Sequence, residues 1–330
     1  MLKIGVIADD FTGATDIASF LVENGMPTVQ INDVPTGTQP EGCDAVVISL
    51  KTRSCPAQEA IKQSLAALVW LKKQGCQQVY FKYCSTFDST AEGNIGPVTD
   101  ALMVALDTSF TVISPALPVN GRTVYQGYLF VMNHLLAESG MRHHPINPMT
   151  DSYLPRLMEA QAQGRCGVIP AQTLDEGVAA PRAALSRLQQ EGYRYAVLDA
   201  LNERHLEIQG EVLRDAPLVT GGSGLAMGLA RQWAKHGVSQ ARSAGYPLSG
   251  RAVVLSGSCS QMTNQHIVAG GETSGVVTQS LGITGFHIGP CISPGVPWVN
   301  ALHAPVSLAL KSGNFGDESF FIRAQREFQV

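Results

Sequence analysis

Three aspartates near the start of the chain are well suited to acid–base chemistry. Asp9 and Asp10 end an apolar run, and Asp16 lies in the first turn of a helix predicted over residues 14–24. Open α/β sheets bind ligands at the carboxyl ends of their strands, so carboxylates there could orient or deprotonate a substrate hydroxyl. A structural role also fits the pattern, because Asp10 or Thr12 could cap the helix and Asp16 would lie near the positive end of its dipole.

Charged and hydroxyl-bearing residues also follow three later predicted strands. They occupy residues 51–54, 82–90 and 115–123. Because the carboxyl ends of parallel strands share one edge of a sheet, these stretches should meet beside the aspartates. A cation there could hold a substrate carboxylate, and an aspartate could accept a hydroxyl proton. The candidates for binding substrate are the cations Arg53, Lys82 and Arg122 and the polar residues Asp9, Thr12, Ser85, Asp88, Asn120 and Gly121.

Short β-rich runs alternate with helical patterns through the first two-thirds of the chain. The predicted strands are residues 4–8, 28–31, 45–50, 78–83, 110–117, 167–170, 195–199 and 217–220, and the helices between them include 57–73, 97–106, 152–163 and 180–191. Apolar strands with helical crossovers are typical of a parallel sheet covered on both faces. We predict an α/β fold of two domains, each a largely parallel sheet flanked by helices, with a cleft between them.

Composition narrows the class of protein. The chain has 330 residues, 45% of them hydrophobic and 15% charged, with a net charge of −4. This balance gives no basic field for nucleic acid or an anionic membrane, and no apolar run approaches the roughly 20 residues of a membrane helix. Seven scattered cysteines without a CxxC pattern argue against a zinc site or a disulfide framework. We therefore expect a cytoplasmic enzyme.

A polar stretch rich in glycine, serine and proline divides the chain at residues 237–250, after a helix predicted over 224–236. We predict an N-terminal domain over residues 1–236 and a C-terminal domain over 251–330. Two strand-plus-glycine motifs in the second block, VVLSGS and HIVAGGE, lie too close together for a parallel crossover, which needs at least about 10–12 residues. We infer that a segment is missing near residues 265–267, either deleted or skipped in the numbering.

The second block has three predicted strands, over residues 252–256, 267–269 and 307–311. Glycine-rich turns follow them at residues 255–260, 269–275 and 311–316. Glycine lets backbone N–H groups approach phosphate oxygens, and the amino end of a following helix favours anions. Three such turns in eighty residues indicate a nucleotide site. Neither GxxxxGK[ST] nor GxGxxG occurs, so the site is neither a Walker P-loop nor a standard dinucleotide fold.

These motifs together resemble the four-carbon acid sugar kinase family over essentially the whole chain. The family's opening signature is similar to Ala8-Asp9-Asp10-Phe11-Thr12-Gly13-Ala14. Its nucleotide domain is similar to Leu255-Ser256-Gly257-Ser258, Gly270-Gly271-Glu272-Thr273-Ser274-Gly275 and Lys311-Ser312-Gly313-Asn314-Phe315-Gly316. Family members have several dozen more residues between the first two of these nucleotide motifs, where the missing segment is inferred.

The resemblance implies an N-terminal acid-sugar domain and a C-terminal ATP domain, with ATP and Mg²⁺ as cofactors. It implies phosphorylation of the substrate's 4-hydroxyl, with 3-oxo-tetronate favoured and threonate or erythronate as alternatives. Asp10 or Asp16 would orient or deprotonate this hydroxyl, and the other could help to place Mg²⁺. Domain closure would exclude water. The ATP contacts carried over from the family are Ser258, Gly270, Gly271, Glu272, Thr273 and Gly313.

Two rival functions fit parts of the pattern. An NAD-dependent hydroxy-acid dehydrogenase shares the fold class, but the dinucleotide fingerprint is missing. A non-catalytic sugar-acid sensor would bind the ligand without turning over ATP. The partners expected are the acid sugar and ATP, with a homo-oligomer as a further option and neither nucleic acid nor a membrane.

Overall fold

A computed structural model describes residues 2–38, 40–235, 271–311 and 319–326, and every structural statement below concerns these ranges. The predicted linker at 237–250, the predicted strands at 252–256 and 267–269, and the inferred join near 265–267 lie outside them. The ATP candidates Ser258, Gly270 and Gly313 also lie outside.

The strands of the first block confirm the predicted alternation. In chain order the strands are β1 (Ile4–Ala8), β2 (Thr28–Asn32), β3 (Ala45–Ser49), β4 (Gln78–Lys82), β5 (Thr111–Ser114), β6 (Arg122–Tyr125), β7 (Tyr128–Val131), β8 (His134–Leu135), β9 (Cys166–Ile169), β10 (Tyr195–Leu198), β11 (Leu218–Gly221), β12 (Gly285–Ser293), β13 (Val296–Ala301) and β14 (Ser307–Ala309). All five residues of each of β1, β3 and β4 are buried, as expected for strands covered on both faces.

Helices connect and cover these strands. They are α1 (Phe11–Glu23), α2 (Ala57–Lys73), α3 (Ile95–Ala105), α4 (Leu154–Glu159), α5 (Ala171–Asp175), α6 (Ala179–Gln190), α7 (Glu203–Leu213), α8 (Gly224–Lys235), α9 (Gly271–Ser280) and α10 (Phe320–Arg326). Helix α2 has the predicted bounds. Helix α1 begins at Phe11, three residues before the predicted start. Asp16 therefore lies in its second turn, so the prediction of a first-turn position is wrong.

Eleven strands form one sheet in the order β14-β13-β12-β2-β3-β1-β4-β11-β5-β10-β9. Every pair from β2 to β9 is parallel. The chain builds β1, β2 and β3 on one side and then crosses to β4 on the other side of β1. Ligands bind at such switch points, outside the carboxyl ends of the strands. Asp9 and Asp10 directly follow β1 and therefore lie at this position.

The described strands of the second block extend this same sheet. Strand β12 pairs antiparallel with β2, and β13 and β14 continue outward in antiparallel order. Strand β14 lies within the strand predicted over residues 307–311. The sequence pattern did not predict β12 or β13. Their pairing places the second block directly beside the first half of the parallel sheet. Helix α1 contacts β2 and β3 as well as β12, β13 and α9, so it packs against both blocks.

A small antiparallel sheet, β6-β7-β8, stands apart from the large one. Its first hairpin turns at Gln126 and Gly127, both of which have positive φ, the geometry of a tight two-residue turn. Arg122 begins this sheet and follows the loop that leaves β5. Within the described ranges, none of the helices is both long and apolar enough to span a bilayer.

Candidate functional site

Arg53 joins three carboxylates at the switch point. Its Nε and Nη2 atoms donate to the two carboxylate oxygens of Asp9 at 3.0 and 2.8 Å, and Nη2 also donates to Asp10 Oδ1 at 2.7 Å. The Nη1 atom lies 3.7 Å from Asp88 Oδ2. The fork geometry of arginine suits such paired contacts. Because its donors already bind protein carboxylates, Arg53 fixes the aspartates and is poorly placed to clamp a substrate carboxylate.

Asp10 caps helix α1, which confirms one of the two caps predicted from the sequence, Asp10 or Thr12. Its Oδ1 accepts from the backbone N–H of Gly13 at 3.0 Å, and its Oδ2 accepts from the Thr12 hydroxyl at 2.9 Å. A Cβ at Gly13 would lie 2.1 Å from Asp10 Oδ1, so glycine is needed for this close approach. The Asp10 side chain is 24% exposed, compared with 6% for Asp9. Asp10 is therefore the member of the pair that a ligand can reach.

The two neighbouring aspartates have opposite pKa shifts. Burial opposes ionisation of Asp10, but Arg53, Lys82 and the hydrogen bonds from Thr12 and Gly13 outweigh it and lower the pKa. Burial raises the pKa of Asp9, with Arg53 opposing the rise. The ligand-accessible carboxylate therefore has the lower pKa of the two.

Asp16 lies deeper and has a different environment. Burial raises its pKa to about 6, opposed by the Lys82 charge and by a hydrogen bond from Ser223. Lys82 Nζ lies 4.0 Å from Asp16 Oδ2, the oxygen that also accepts from the Ser223 hydroxyl. Asp16 Oδ1 is buried and accepts no hydrogen bond from any described residue. A buried acceptor without a donor is costly, so this atom has capacity for a donor that the described chain does not supply.

The structure brings most of the other candidates to the same edge. Asp88 accepts from Thr86 at 2.7 Å in addition to its contact with Arg53. Arg122 lies close enough for its charge to lower the pKa of Asp16, and its guanidinium donates to the carbonyl of Asn120. Gly121 has φ 70°, which turns the chain from the β5 loop into β6. Ser85 is buried beside Gly222, with its Cα 3.4 Å from the position of a Cβ on that glycine.

Two residues that support the site were not among the sequence candidates. Ser223 follows β11 in a Gly-Gly-Ser-Gly stretch whose spacing does not match a dinucleotide motif. Asn94 precedes α3 and donates to the carbonyls of Thr52 and Cys55 at 2.7 and 2.8 Å, which holds the loop carrying Arg53. A polar residue directly after a strand or directly before a helix was the signal available for both.

The glycine motif of the second block lies beside this edge. Gly271, Glu272 and Thr273 form the first turn of α9, where backbone N–H groups lack acceptors within the helix. A Cβ at Gly275, one turn further, would lie 4.0 Å from Phe11 Cγ and 3.8 Å from Lys51 Cε. Phe11 directly follows Asp10. The start of α9 is thus adjacent to the aspartate edge.

The described residues form no group of three or more His, Cys, Asp or Glu side chains that could hold a metal ion. Asp9 and Asp10 are already bound by Arg53, and Asp16 is bound by Ser223 and faces Lys82. This donor set does not fit a metal cage built by the protein alone.

Two family models match the chain. One, described as a sugar-binding N-terminal domain, matches residues 4–229, and the other, described as a nucleotide-binding C-terminal domain, matches residues 264–321. Together they cover the aspartate edge and helix α9.

Similar proteins share the fold and most of the sequence. A 3-oxo-tetronate kinase of Salmonella typhimurium is 78% identical, with 100% of both chains covered, and one of Escherichia coli is 62% identical, with 89% of this chain and 99% of the relative covered. A crystal structure from Salmonella typhimurium LT2, provisionally described as a tRNA synthase, is 77% identical, covers 100% of both chains and has a TM-score of 0.93. The first alignment extends over 420 residues, whereas this chain has 330.

Proposed function

Because the chain belongs to the four-carbon acid sugar kinase family, we propose that it transfers the γ-phosphoryl group of ATP to the 4-hydroxyl of 3-oxo-tetronate. Curated relatives at 78% and 62% identity carry the name 3-oxo-tetronate kinase, which favours this acid over threonate or erythronate. A cytoplasmic location is part of the proposal. So is a homo-oligomeric state.

One observation carries the proposal. Helix α9 begins in the family's glycine motif, and its Gly275 lies against Phe11, the neighbour of Asp10. A phosphate bound at the first-turn N–H groups of Gly271, Glu272 and Thr273 would therefore be near the most accessible carboxylate of the acid-sugar edge. This proximity of a nucleotide motif and a proton acceptor is what phosphoryl transfer to a hydroxyl requires.

Asp10 is the proposed acceptor of the substrate's 4-hydroxyl. It is the accessible aspartate, and Arg53, Lys82, Thr12 and Gly13 keep it ionised. Phosphoryl transfer depends mainly on positioning and charge neutralisation, so a weakly basic but fixed carboxylate is sufficient to orient the hydroxyl and to take its proton late in the reaction. Asp16, behind it, is proposed to accept a second substrate hydroxyl at the unsatisfied Oδ1 atom.

Arg122 and Lys82 are the proposed contacts for the substrate's carboxylate end. Both lie near Asp16, and Arg122 reaches the site from the loop after β5. Arg53 is proposed to act through Asp9 and Asp10 instead. Ser258, Gly270 and Gly313 remain proposed ATP contacts on the family motifs alone. ATP supplies the phosphoryl group, and Mg²⁺ is proposed to accompany its phosphates without an assigned protein ligand.

The length of the alignment with the Salmonella relative supports the inferred missing segment near residues 265–267. We propose that the segment belongs between the SGS and AGGE motifs and completes the nucleotide domain. The tRNA synthase description of one solved relative has no support in the charge balance, because a net charge of −4 provides no general attraction for nucleic acid.

The test is an ATP-coupled screen of 3-oxo-tetronate, threonate and erythronate. It compares the 330-residue chain with a version carrying the Salmonella relative's segment at residue 266. We expect turnover with 3-oxo-tetronate in at least the longer version. Turnover of none of the acids by either protein would refute the proposal, and reduction of a nicotinamide cofactor would support the dehydrogenase alternative.

Asp10→Asn provides the matched variant for this screen. Asparagine also caps helices well, so the fold should persist. Loss of the proton acceptor should lower kcat by roughly 10²- to 10⁴-fold. Near-normal kcat in this variant would remove Asp10 from the mechanism while leaving the substrate assignment intact.

A further inference from the structure

The cations at the acid-sugar edge differ in how many partners they already have. Arg53 binds Asp9 and Asp10 and lies near Asp88. Lys82 is 2% exposed, donates to the Tyr83 carbonyl at 2.7 Å and faces Asp16. These two side chains are held by groups of the protein, so neither is available to follow a moving phosphoryl group.

Lys51 contrasts with both. It lies two residues after the end of β3 and two residues before Arg53, and its side chain is exposed. Within the described ranges it has neither an ion pair nor a hydrogen bond through its ammonium group. It is therefore a cation at the switch point with free donors.

The position of Lys51 is set from two sides. The backbone N–H groups of Thr52 and Arg53 donate to the Asp9 carbonyl at 2.9 and 3.2 Å, which ties this loop to the aspartate edge. On the other side, Lys51 Nζ lies 4.0 Å from the position that a Cβ on Gly275 would occupy. The ammonium group thus lies beside the second turn of α9, on a loop that is hydrogen-bonded to Asp9, the neighbour of Asp10.

We propose that Lys51 binds the transferring phosphoryl group of the nucleotide and stabilises its charge in the transition state. This inference rests on the function proposed above. As the bond between the substrate's 4-oxygen and phosphorus forms, the bond from phosphorus to the β–γ bridging oxygen breaks. The hydroxyl proton passes to Asp10, and ADP leaves with the electron pair. Lys51 can contact the equatorial oxygens throughout, because no carboxylate among the described residues pairs with its ammonium group.

The experiment measures equilibrium binding of ADP and of a non-hydrolysable ATP analogue, both with Mg²⁺, to the longer version that carries the Salmonella relative's segment and to its Lys51→Met variant. Only the analogue carries a γ-phosphate. We expect Lys51→Met to weaken analogue binding at least tenfold, since hydrogen bonds from charged donors contribute strongly, while ADP binding changes less than about twofold. Lys51→Arg should recover part of the difference, because it restores the charge.

Steady-state kinetics supply the second readout. In the version that turns over, Lys51→Met should lower kcat by about 10²- to 10³-fold, the usual effect of removing one donor to a developing charge. The KM for the acid sugar should change less than about threefold. Lys73→Met, at the exposed end of α2, is the matched control and should behave as wild type in every assay.

Each other outcome decides a different question. If Lys51→Met weakens binding of ADP and of the analogue equally, or weakens binding of neither, the proposed role of Lys51 is overturned. A raised KM for the acid sugar with unchanged nucleotide binding would assign Lys51 to the substrate carboxylate instead. Nucleotide binding without turnover of any acid sugar would refute the proposed function, while the ratio of analogue to ADP affinity would still decide on Lys51. Absence of nucleotide binding would overturn both.

Discussion

Two buried carboxylate sites follow strands of the same sheet, and their partners differ in kind. Asp199 follows β10 and is 0% exposed. It accepts from the backbone N–H groups of Gln126, Gly127 and Ala171 at 2.6, 2.9 and 3.0 Å. The aspartates after β1 are instead bound by side chains from other segments of the chain. Arg53 binds Asp9 and Asp10, and Asp16 accepts from Ser223 and lies 4.0 Å from Lys82 Nζ.

The difference separates a structural carboxylate from a candidate functional one. At Asp199 the donors are neutral, fixed by the backbone and sufficient for both oxygens, so the site joins the β6–β7 hairpin to α5. At the β1 edge, Arg53 is shared among several carboxylates, Asp10 is partly accessible and Asp16 retains an unsatisfied oxygen. Incompletely satisfied polar clusters of this kind are costly for folding and are typical of functional sites.

The largest effect on stability is expected when the shared cation is removed. Arg53→Met would leave Asp9 buried beside Asp10 without its guanidinium partner, and breaking a buried ion pair in this way costs about 3–5 kcal/mol. The loss in free energy of unfolding should be smaller at pH 5 than at pH 8, because protonation of the aspartates relieves their mutual repulsion. Denaturant unfolding at both pH values measures it.

Arg156→Met is the control for that variant. The Arg156–Asp151 pair is largely exposed, with the arginine side chain 64% accessible, so its loss should have little effect on the free energy of unfolding. A deficit in Arg53→Met no greater than in Arg156→Met would mean that the Arg53 network does not stabilise the fold.

A smaller loss of stability, with activity retained, is expected at the structural site. Asp199→Ala would leave three backbone N–H groups without their acceptor, and each unsatisfied buried donor costs about 1–3 kcal/mol unless water enters. We expect the free energy of unfolding to fall by about 3 kcal/mol. Because Asp199 touches none of the proposed reacting groups, kcat per folded molecule should stay within about threefold of wild type. A selective loss of kcat in fully folded protein would erase the distinction between the two sites.

The smallest effect is a shift in pH dependence. Ser223 donates to Asp16 and lowers its pKa, which burial otherwise raises to about 6. Ser223→Ala should therefore move the acidic limb of the kcat/KM profile upward, by up to about one pH unit, which corresponds to about 1.4 kcal/mol. Ser186→Ala, on the exposed face of α6, is the control. Superimposable profiles would show that ionisation of Asp16 does not limit turnover.

The same pKa fixes the sign of a stability effect in the wild-type protein. Asp16 binds a proton more readily when folded, so its favourable contribution is fully present below pH about 4 and is lost as the pH rises through about 6. Ser223→Ala should extend this loss to higher pH.

Local patterns predicted much of the fold correctly. Apolar runs with helical crossovers gave the parallel strands from β1 to β11, because burial on both faces requires a continuous apolar sequence. Polar residues at four strand ends predicted one shared edge, since parallel strands end on the same side. The cap at Asp10 was one of two options, and the structure selected it through the 3.0 Å bond from Gly13.

Other features depended on pairings that the sequence does not display. Strands β12 and β13 were missed because their antiparallel addition beside β2 depends on a sheet edge that is distant in the sequence and not on the local pattern. The first-turn position for Asp16 was wrong because Phe11 already starts the helix.

The sequence by itself determined which chemical groups stand at the strand ends: the aspartates after β1, the cations after β3 and β4, and the glycine turn that begins α9. Tertiary structure alone decided their use. Asp9 and Arg53 are 44 residues apart, and Asp16 and Ser223 are 207 apart. The free energy of each charged group depends on its burial and on its distance from its partners. Both are defined only once the segments have packed together. For this reason Asp10 and Asp199 look alike in the sequence, yet one faces a proposed reaction and the other fastens a hairpin.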